Sequence, residues 1–217
     1  MPSPTVENYL KALLALSRET GEVNVTELSR ALGVSKPAAN SMVKTLTKRG
    51  LVAYERYRPL KLTDAGRKAA ALVVRKHRLT EMYLVDQMGF GWDEVHAVAE
   101  QVEHIDAPRF FARMDEIMGY PTVDPHGSPI PTIDGEIADA DHAALDTVAA
   151  GRTVELRAVA GQTDALLSFL TRKGIALGER LEVLEVEPFD GSRRVRYGAD
   201  AREEVLTREV TRRMYVG

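Results

Sequence analysis

The run TELSRALGVSKPAANSMVKTLTKRG, from Thr26 to Gly50, leaves little freedom to the fold around it. It reads as two short helices joined by a tight turn that carries a glycine. Thr26 is expected to cap the first helix and Gly33 to stop it. Ser35 caps the second, Pro37 stands in its first turn, where a missing N–H costs nothing, and Gly50 closes it. The stretch LVAYERYRPLKLT follows, with two β-like runs around the basic tip Arg56-Tyr57-Arg58-Pro59. Helix, turn, helix and basic hairpin together predict a winged helix-turn-helix. In its second helix Val34, Ala39, Met42, Val43 and Leu46 are expected to pack inward. Ser35, Lys36, Pro37, Ala38, Asn40, Ser41, Lys44 and Lys48 are left for a partner, with Arg56, Tyr57 and Arg58 of the wing. Asn can bond adenine edges, small side chains can meet thymine methyls, and Lys and Arg mostly meet phosphate.

Charge points the same way. The net charge is −3, yet Arg30 to Arg78 hold 13 Lys/Arg against Glu55 and Asp64, a balance of +11, while the remainder carries −14. A solvated face can be basic, and winged helices also bind proteins. A segment this basic inside an acidic chain is nevertheless built to meet a polyanion, and double-stranded DNA is the expected partner. The chain has no cysteine, which fits a reducing compartment and excludes disulfides, thiolate metal sites and a cysteine nucleophile. No apolar run could span a bilayer, and MPSPTVENYL does not read as a signal peptide. A cytoplasmic protein without a membrane partner is expected.

The rest divides by pattern. TVENYLKALLALSRETG, Thr5 to Gly21, has apolar residues at helical spacing. Three further helices are predicted over Thr63–Gly89, Trp92–Ile105 and Ala107–Gly119. Between Leu79 and Asp146 only Arg109 and Arg113 are basic, against 15 acids. Gly119–Gly135, with four prolines and three glycines, reads as a loop or linker. Beyond Arg152 the segments TVELRAVA, ERLEVLEVEPF, RRVRYGA and EVTRRMYVG read as short strands around one helix, TDALLSFLTRKG. The predicted fold is mainly α with a small β part: a winged helix-turn-helix over 1–63, a helical domain over 64–140 and a small β-barrel over 141–217.

Two histidine-bearing patterns carry the chemistry. His77 and Glu81 are four apart on the long helix, and His96, Glu100, Glu103 and His104 share one face of the next. If the helices pack side by side, imidazoles and carboxylates converge into a set suited to divalent first-row metals. Solvated histidines beside solubilising acids are the alternative for any one of these residues. His126, in the Pro/Gly loop, and His142, in an acidic stretch, read as solvated. A carboxylate-bridged di-metal enzyme would need two Glu-x-x-His pairs. Glu100 to His104 is i, i+4, no second set follows, and neither a nucleophile–base pair nor a Gly-rich phosphate loop stands out. No enzyme and no small organic substrate are expected. A metal-independent winged-helix regulator is the other alternative.

The order winged helix, VVRKHRLTEMYL, WDEVHAVAEQVEH, DPHGSPIP and C-terminal β domain resembles the diphtheria toxin repressor / manganese transport regulator family over almost the whole chain. The resemblance implies a homodimer whose affinity for a palindromic operator is controlled by Mn2+ or Fe2+, one or two ions per subunit, and an SH3-type, FeoA-like C-terminal domain. It places Glu100, Glu103 and His104 in the family's primary site, His77 as the shared or ancillary histidine, and Glu81 and His96 as ancillary partners. This chain departs from the family in its first helix. Asn8 stands where members offer Asp or Met, and Lys11 where manganese-type members lacking the C-terminal domain offer Glu. Asn8 offers only a neutral amide oxygen, and Glu7 is expected to point about 100° away from it. A second ion on His77, Glu81 and His96 is expected, with Asp164 and Gln162 as candidate donors from the C-terminal domain. Glu100 stands where iron-type members place a cysteine, which shifts the expected preference toward Mn2+.

Overall fold

The computed structural model describes residues 3–55, 58–139, 141–161 and 163–217, with the backbone alone for Asp164. The backbone forms two compact units: Met1–Thr80 with Ala99–Ile117 and Ile130–Ala138, and Glu81–Val98 with Met118–Pro129 and Asp139–Gly217.

The first unit opens with α1 (Pro4–Thr20), α2 (Val25–Ala31) and α3 (Lys36–Lys48), followed by a two-stranded antiparallel wing, β1 (Val52–Ala53) with β2 (Lys61–Leu62). Its core gathers Leu10 and Leu13 of α1, Leu28 of α2, and Ala39, Val43 and Leu46 of α3. Each fully buried leucine contributes roughly 2 kcal/mol by removal from water. The cap of α2 lies earlier than expected. Asn24, not Thr26, accepts from the Thr26 and Glu27 amides, and Glu27 bonds back to the Asn24 amide. This reciprocal box satisfies more end groups than a lone threonine can. Ser35 caps α3 as expected, accepting from the Ala38 amide at 3.3 Å. Val34, expected inside, is exposed because it sits in the turn before that cap.

A long helix, α4 (Asp64–Met88), follows, then α5 (His96–Val102) and α6 (Pro108–Ile117). At Gly66 a Cβ would lie 1.9 Å from the Leu51 carbonyl oxygen, so only glycine lets the start of α4 approach the wing. Arg75 of α4 donates to the Pro131 carbonyl at 2.6 Å and pairs with Asp115 of α6. The helix expected over Trp92–Ile105 is shorter at both ends, with turns at 92–94 and 103–104.

The second unit holds a six-stranded antiparallel sheet in the order β3-β8-β4-β5-β6-β7. Its strands are β3 (Ala143–Ala144), β4 (Thr153–Val159), β5 (Arg180–Val186), β6 (Arg193–Tyr197), β7 (Arg202–Leu206) and β8 (Met214–Val216). Between β4 and β5 lies α7 (Asp164–Lys173), capped by the Thr163 hydroxyl and ended by left-handed Gly174. Leu156, Leu167, Leu170, Leu181, Val195 and Leu206 fill the core. EVTRRMYVG is not one strand: α8 (Arg208–Thr211) precedes the three-residue β8. Trp92 is tied to this sheet unit by a 2.7 Å bond from its indole N–H to the Thr171 hydroxyl, and Ser168 donates to Asp93 at 2.9 Å.

Candidate metal centre and DNA-binding face

On α3 the residues assigned to a partner stand together. Lys36, Pro37, Ala38, Asn40, Ser41, Lys44 and Lys48 are exposed, with Ser35 at the cap, while Ala39, Val43 and Leu46 are buried beneath them. Arg58 is exposed at the wing; Arg56 and Tyr57 lie outside the described residues.

The expected ligands fall into two clusters. In the first unit, α1 presents Glu7 and Lys11, four residues apart, while Asn8 is exposed. Val6, Leu10, Leu13 and Leu14 bury the inner face of α1, which leaves Glu7 and Lys11 on its flank. Glu103 and His104 occupy the turn after α5, and His77 comes from α4. The Lys11 ammonium donates to both oxygens of Glu103, at 2.7 and 3.0 Å, and lies 3.2 Å from His77 Nδ1. His77 Nδ1 donates to Glu103. His104 Nδ1 donates to Glu7 at 2.6 Å, and the Lys76 ammonium is 3.8 Å from the same carboxylate. Two carboxylates thus meet two ammonium groups and two imidazoles. Burial pushes the Glu103 carboxyl up, but the His77 bond and the Lys11 charge outweigh it and hold the group below the usual carboxylate range. Sequence reasoning saw that Lys11 is no ligand and missed that it reaches Glu103, 92 residues away. It also turned Glu7 away from a cluster in which Glu7 takes part. Glu100 is exposed on α5.

In the second unit Glu81, Asp124 and His126 offer ligand atoms within 4.8 Å of one another. Their exposures are 0, 2 and 0 %, so this is an interior centre. His126, expected to be solvated, is thereby corrected: its loop is held down. His126 Nε2 donates to the Trp92 carbonyl at 2.8 Å, and the ring stacks on the Trp92 indole at 5.9 Å. A carbonyl only accepts, so Nε2 carries a proton and Nδ1 is the ring nitrogen left to act as a donor atom. Nδ1 is buried, makes no hydrogen bond, and faces Glu81 Oε2 and Asp124 Oδ1, each at 3.8 Å. A ring fixed at one nitrogen, with the other turned toward two carboxylates, is the usual arrangement of a metal-binding histidine. Asp124 Oδ1 accepts from the His126 and Ser128 amides, both at 2.9 Å, which sets the turn. Gly127 has φ +84°, and a Cβ there would lie 2.1 Å from the Arg157 carbonyl oxygen, so glycine alone brings this turn onto β4. The Val159 amide of β4 donates to the His126 carbonyl at 2.9 Å. His96 Nδ1 lies 3.3 Å from Glu81 Oε1. The signal that could have found the centre was Asp-x-His-Gly inside DPHGSPIP, a turn that aims a carboxylate and an imidazole together. Gln162 and the Asp164 side chain lie outside the described residues, and His142 is half-buried.

Comparisons with known proteins agree with this architecture. Residues 1–60 match the iron dependent repressor N-terminal DNA binding domain, 63–132 the iron dependent repressor metal binding and dimerisation domain, and 143–217 the FeoA domain. The iron-dependent repressor IdeR of Mycobacterium tuberculosis (strain ATCC 25618 / H37Rv) is 36% identical over 127 residues, 58% of this chain and 55% of that protein. The HTH-type transcriptional regulator MntR of Geobacillus kaustophilus (strain HTA426) is 31% identical over 55% of this chain and 84% of its own length. The matched region thus spans about half the length of the mycobacterial relatives. A manganese-dependent transcriptional repressor in complex with manganese superposes with a TM-score of 0.88 at 34% identity, over 97% of this chain and 98% of that one. ScaR with bound Cd2+ gives 0.83 at 30% identity, over 100% and 99%. IdeR and the manganese-dependent protein are named as repressors and MntR as a transcriptional regulator, and the chain belongs to their family, the iron-dependent repressors.

Proposed function

We propose that this protein is a manganese-responsive transcriptional regulator that binds a palindromic operator as a homodimer in the cytoplasm and controls metal-ion transport. The observation that carries the reading is the buried Glu81–Asp124–His126 centre, with the His126 Nδ1 lone pair turned inward. Two carboxylates and one imidazole, without a thiolate, form a hard donor set that suits Mn2+ and tolerates Fe2+. His96 adds a second imidazole beside Glu81. His77, Glu100, Glu103 and His104, with Asn8 as a further donor, are the proposed ligands of another ion. The proposed working parts are residues 1–63 for DNA, 64–140 for metal and dimerisation, and 141–217 as the FeoA-like domain.

A bound divalent ion supplies positive charge among these carboxylates. The residues around it do the rest. Glu81 stands on the long helix that begins at the wing. His126 is fixed to β4 and Trp92, and Asp124 is held in the same turn by the His126 and Ser128 amides. Holding these groups together would fix the end of the helix against its neighbours, and the proposed dimer carries two recognition helices. One helical turn of DNA, about 34–36 Å, is the spacing such a dimer reads. Ile105, and Phe110 and Ile117 of α6, leave apolar surface exposed, as a dimer contact requires.

The test uses a palindromic duplex selected from a random pool in the presence of Mn2+. Binding is measured anaerobically against Mn2+, Fe2+, Zn2+ and Mg2+ at matched free-ion levels, and against a chelator. Retention with Mn2+ and loss with chelator are expected. Equal binding in chelator would make the protein a metal-independent regulator.

A further inference from the structure

The two clusters differ in what neutralises them. At the Glu81 centre an imidazole nitrogen stands buried without a hydrogen bond. Around Glu103 the positive charge is already present in the chain. The Glu103 side chain is 1 % exposed and both its oxygens are held by Lys11, whose own side chain is 23 % exposed. A second ammonium, Lys76, approaches Glu7, the carboxylate that holds His104. An ammonium that holds both oxygens occupies the lone pairs a divalent ion would use, and it repels the ion in a site where water screens little.

We infer that Lys11 is a built-in competitor for metal at Glu103. It closes the site in the metal-free state and sets the ion concentration at which the site opens. The inference rests on the proposed role of Glu103 and His104 as ligands and adds the device that regulates them. Four rotatable bonds and partial exposure give Lys11 a path out to solvent. While it stays, it ties α1 of the DNA-binding segment to the turn after α5. Metal binding at Glu103 therefore costs that tie, and apparent affinity falls in proportion to the time the carboxylate is occupied. The weak neutral donor Asn8, exposed beside this cluster, cannot offset the loss.

The experiment titrates the full-length parent, Lys11→Met, Lys11→Gln and Lys11→Arg with Mn2+, reading free ion by electron paramagnetic resonance. Thermal melting of each metal-free protein is followed in parallel. Both neutral variants are expected to bind at the weaker of the protein's sites roughly tenfold more tightly than the parent, or better. Their metal-free forms are expected to melt lower, because Glu103 loses its ammonium. Lys11→Arg, which keeps the charge, is expected to stay near the parent. Lys11→Gln guards against a packing artefact of Met, since it keeps a hydrogen bond to Glu103. Neutral variants that bind Mn2+ no more tightly than a metal-binding parent would overturn the role of Lys11 alone. A parent that takes up no Mn2+ at any concentration would remove the metal reading and the competitor with it.

Discussion

Glu103 titrates under opposing influences, and the balance has a measurable sign. Burial raises its carboxyl pKa, while the His77 bond and the Lys11 charge lower it further than burial lifts it. With the folded value below the ordinary 4.5, the group contributes stability that is fully present above about that pH. The contribution is lost as pH falls through the folded value. The metal-free parent should therefore lose denaturant resistance on acidification below pH 4.5, and Glu103→Gln should lack that part of the slope. At neutral pH the same variant should be less stable by about 1–3 kcal/mol, because Lys11 and His77 lose a buried acceptor. A parent and variant with parallel acid profiles would contradict the assignment. His126 gives a second prediction. Its Nδ1 is aimed at Glu81 and Asp124, so His126→Ala should weaken Mn2+ binding about 10- to 100-fold and abolish metal-dependent DNA retention. A solvated loop histidine would leave both untouched. From sequence alone it read as solvated, because Pro125 and Gly127 around it are the composition of a surface turn. The approach of that turn to β4, with the Trp92 ring stacked on the imidazole, buries it.

Elements were legible in the sequence where a local rule decides them. The recognition helix α3 has Ser35 at its cap, Pro37 in its first turn and Gly50 at its end, and its buried residues follow the helical period. The helix expected up to Ile105 instead ends at Val102, with Glu103 and His104 turned into the cluster with Glu7 and Lys11. Periodicity carries no record of that turn, because its groups are satisfied by residues far along the chain. The same holds for EVTRRMYVG, where a four-residue helix precedes β8. The DPHG turn is the element on which the buried centre depends. Gly127→Ala forces a left-handed φ on a Cβ that would meet Arg157 and Ala158 backbone. The variant should lose more than about 1 kcal/mol of stability from the backbone conformation alone, and more from the displaced turn. Its Mn2+ affinity should fall with it, although no donor atom is removed. Unchanged metal affinity in Gly127→Ala would show that the centre does not depend on this turn.

At the scale of the whole molecule, charge separation underlies the proposed binding to DNA. A segment of balance +11 lies in a chain of net −3, and its lysines line one face of α3. Each phosphate neutralised releases condensed counterions, so log affinity falls with log salt by about 0.9 per contact. Lys44 is exposed in the middle of that face, where a side chain without a bidentate base contact meets phosphate. Lys44→Ala should therefore weaken binding to all sequences alike and flatten the salt slope. The size of the change reports the assembly. A monomer loses one phosphate contact, or about 0.9 of slope, while a symmetric dimer loses two, or about 1.8. Asn40→Ala, on the same face, should leave the slope nearly unchanged and alter which base pairs are preferred. Measured with Mn2+ present at several salt concentrations, the pair of variants separates positioning from base recognition. A slope change near 1.8 for Lys44→Ala supports two recognition helices on one palindrome. A change near 0.9 places one subunit on the DNA and removes the homodimer from the proposed function.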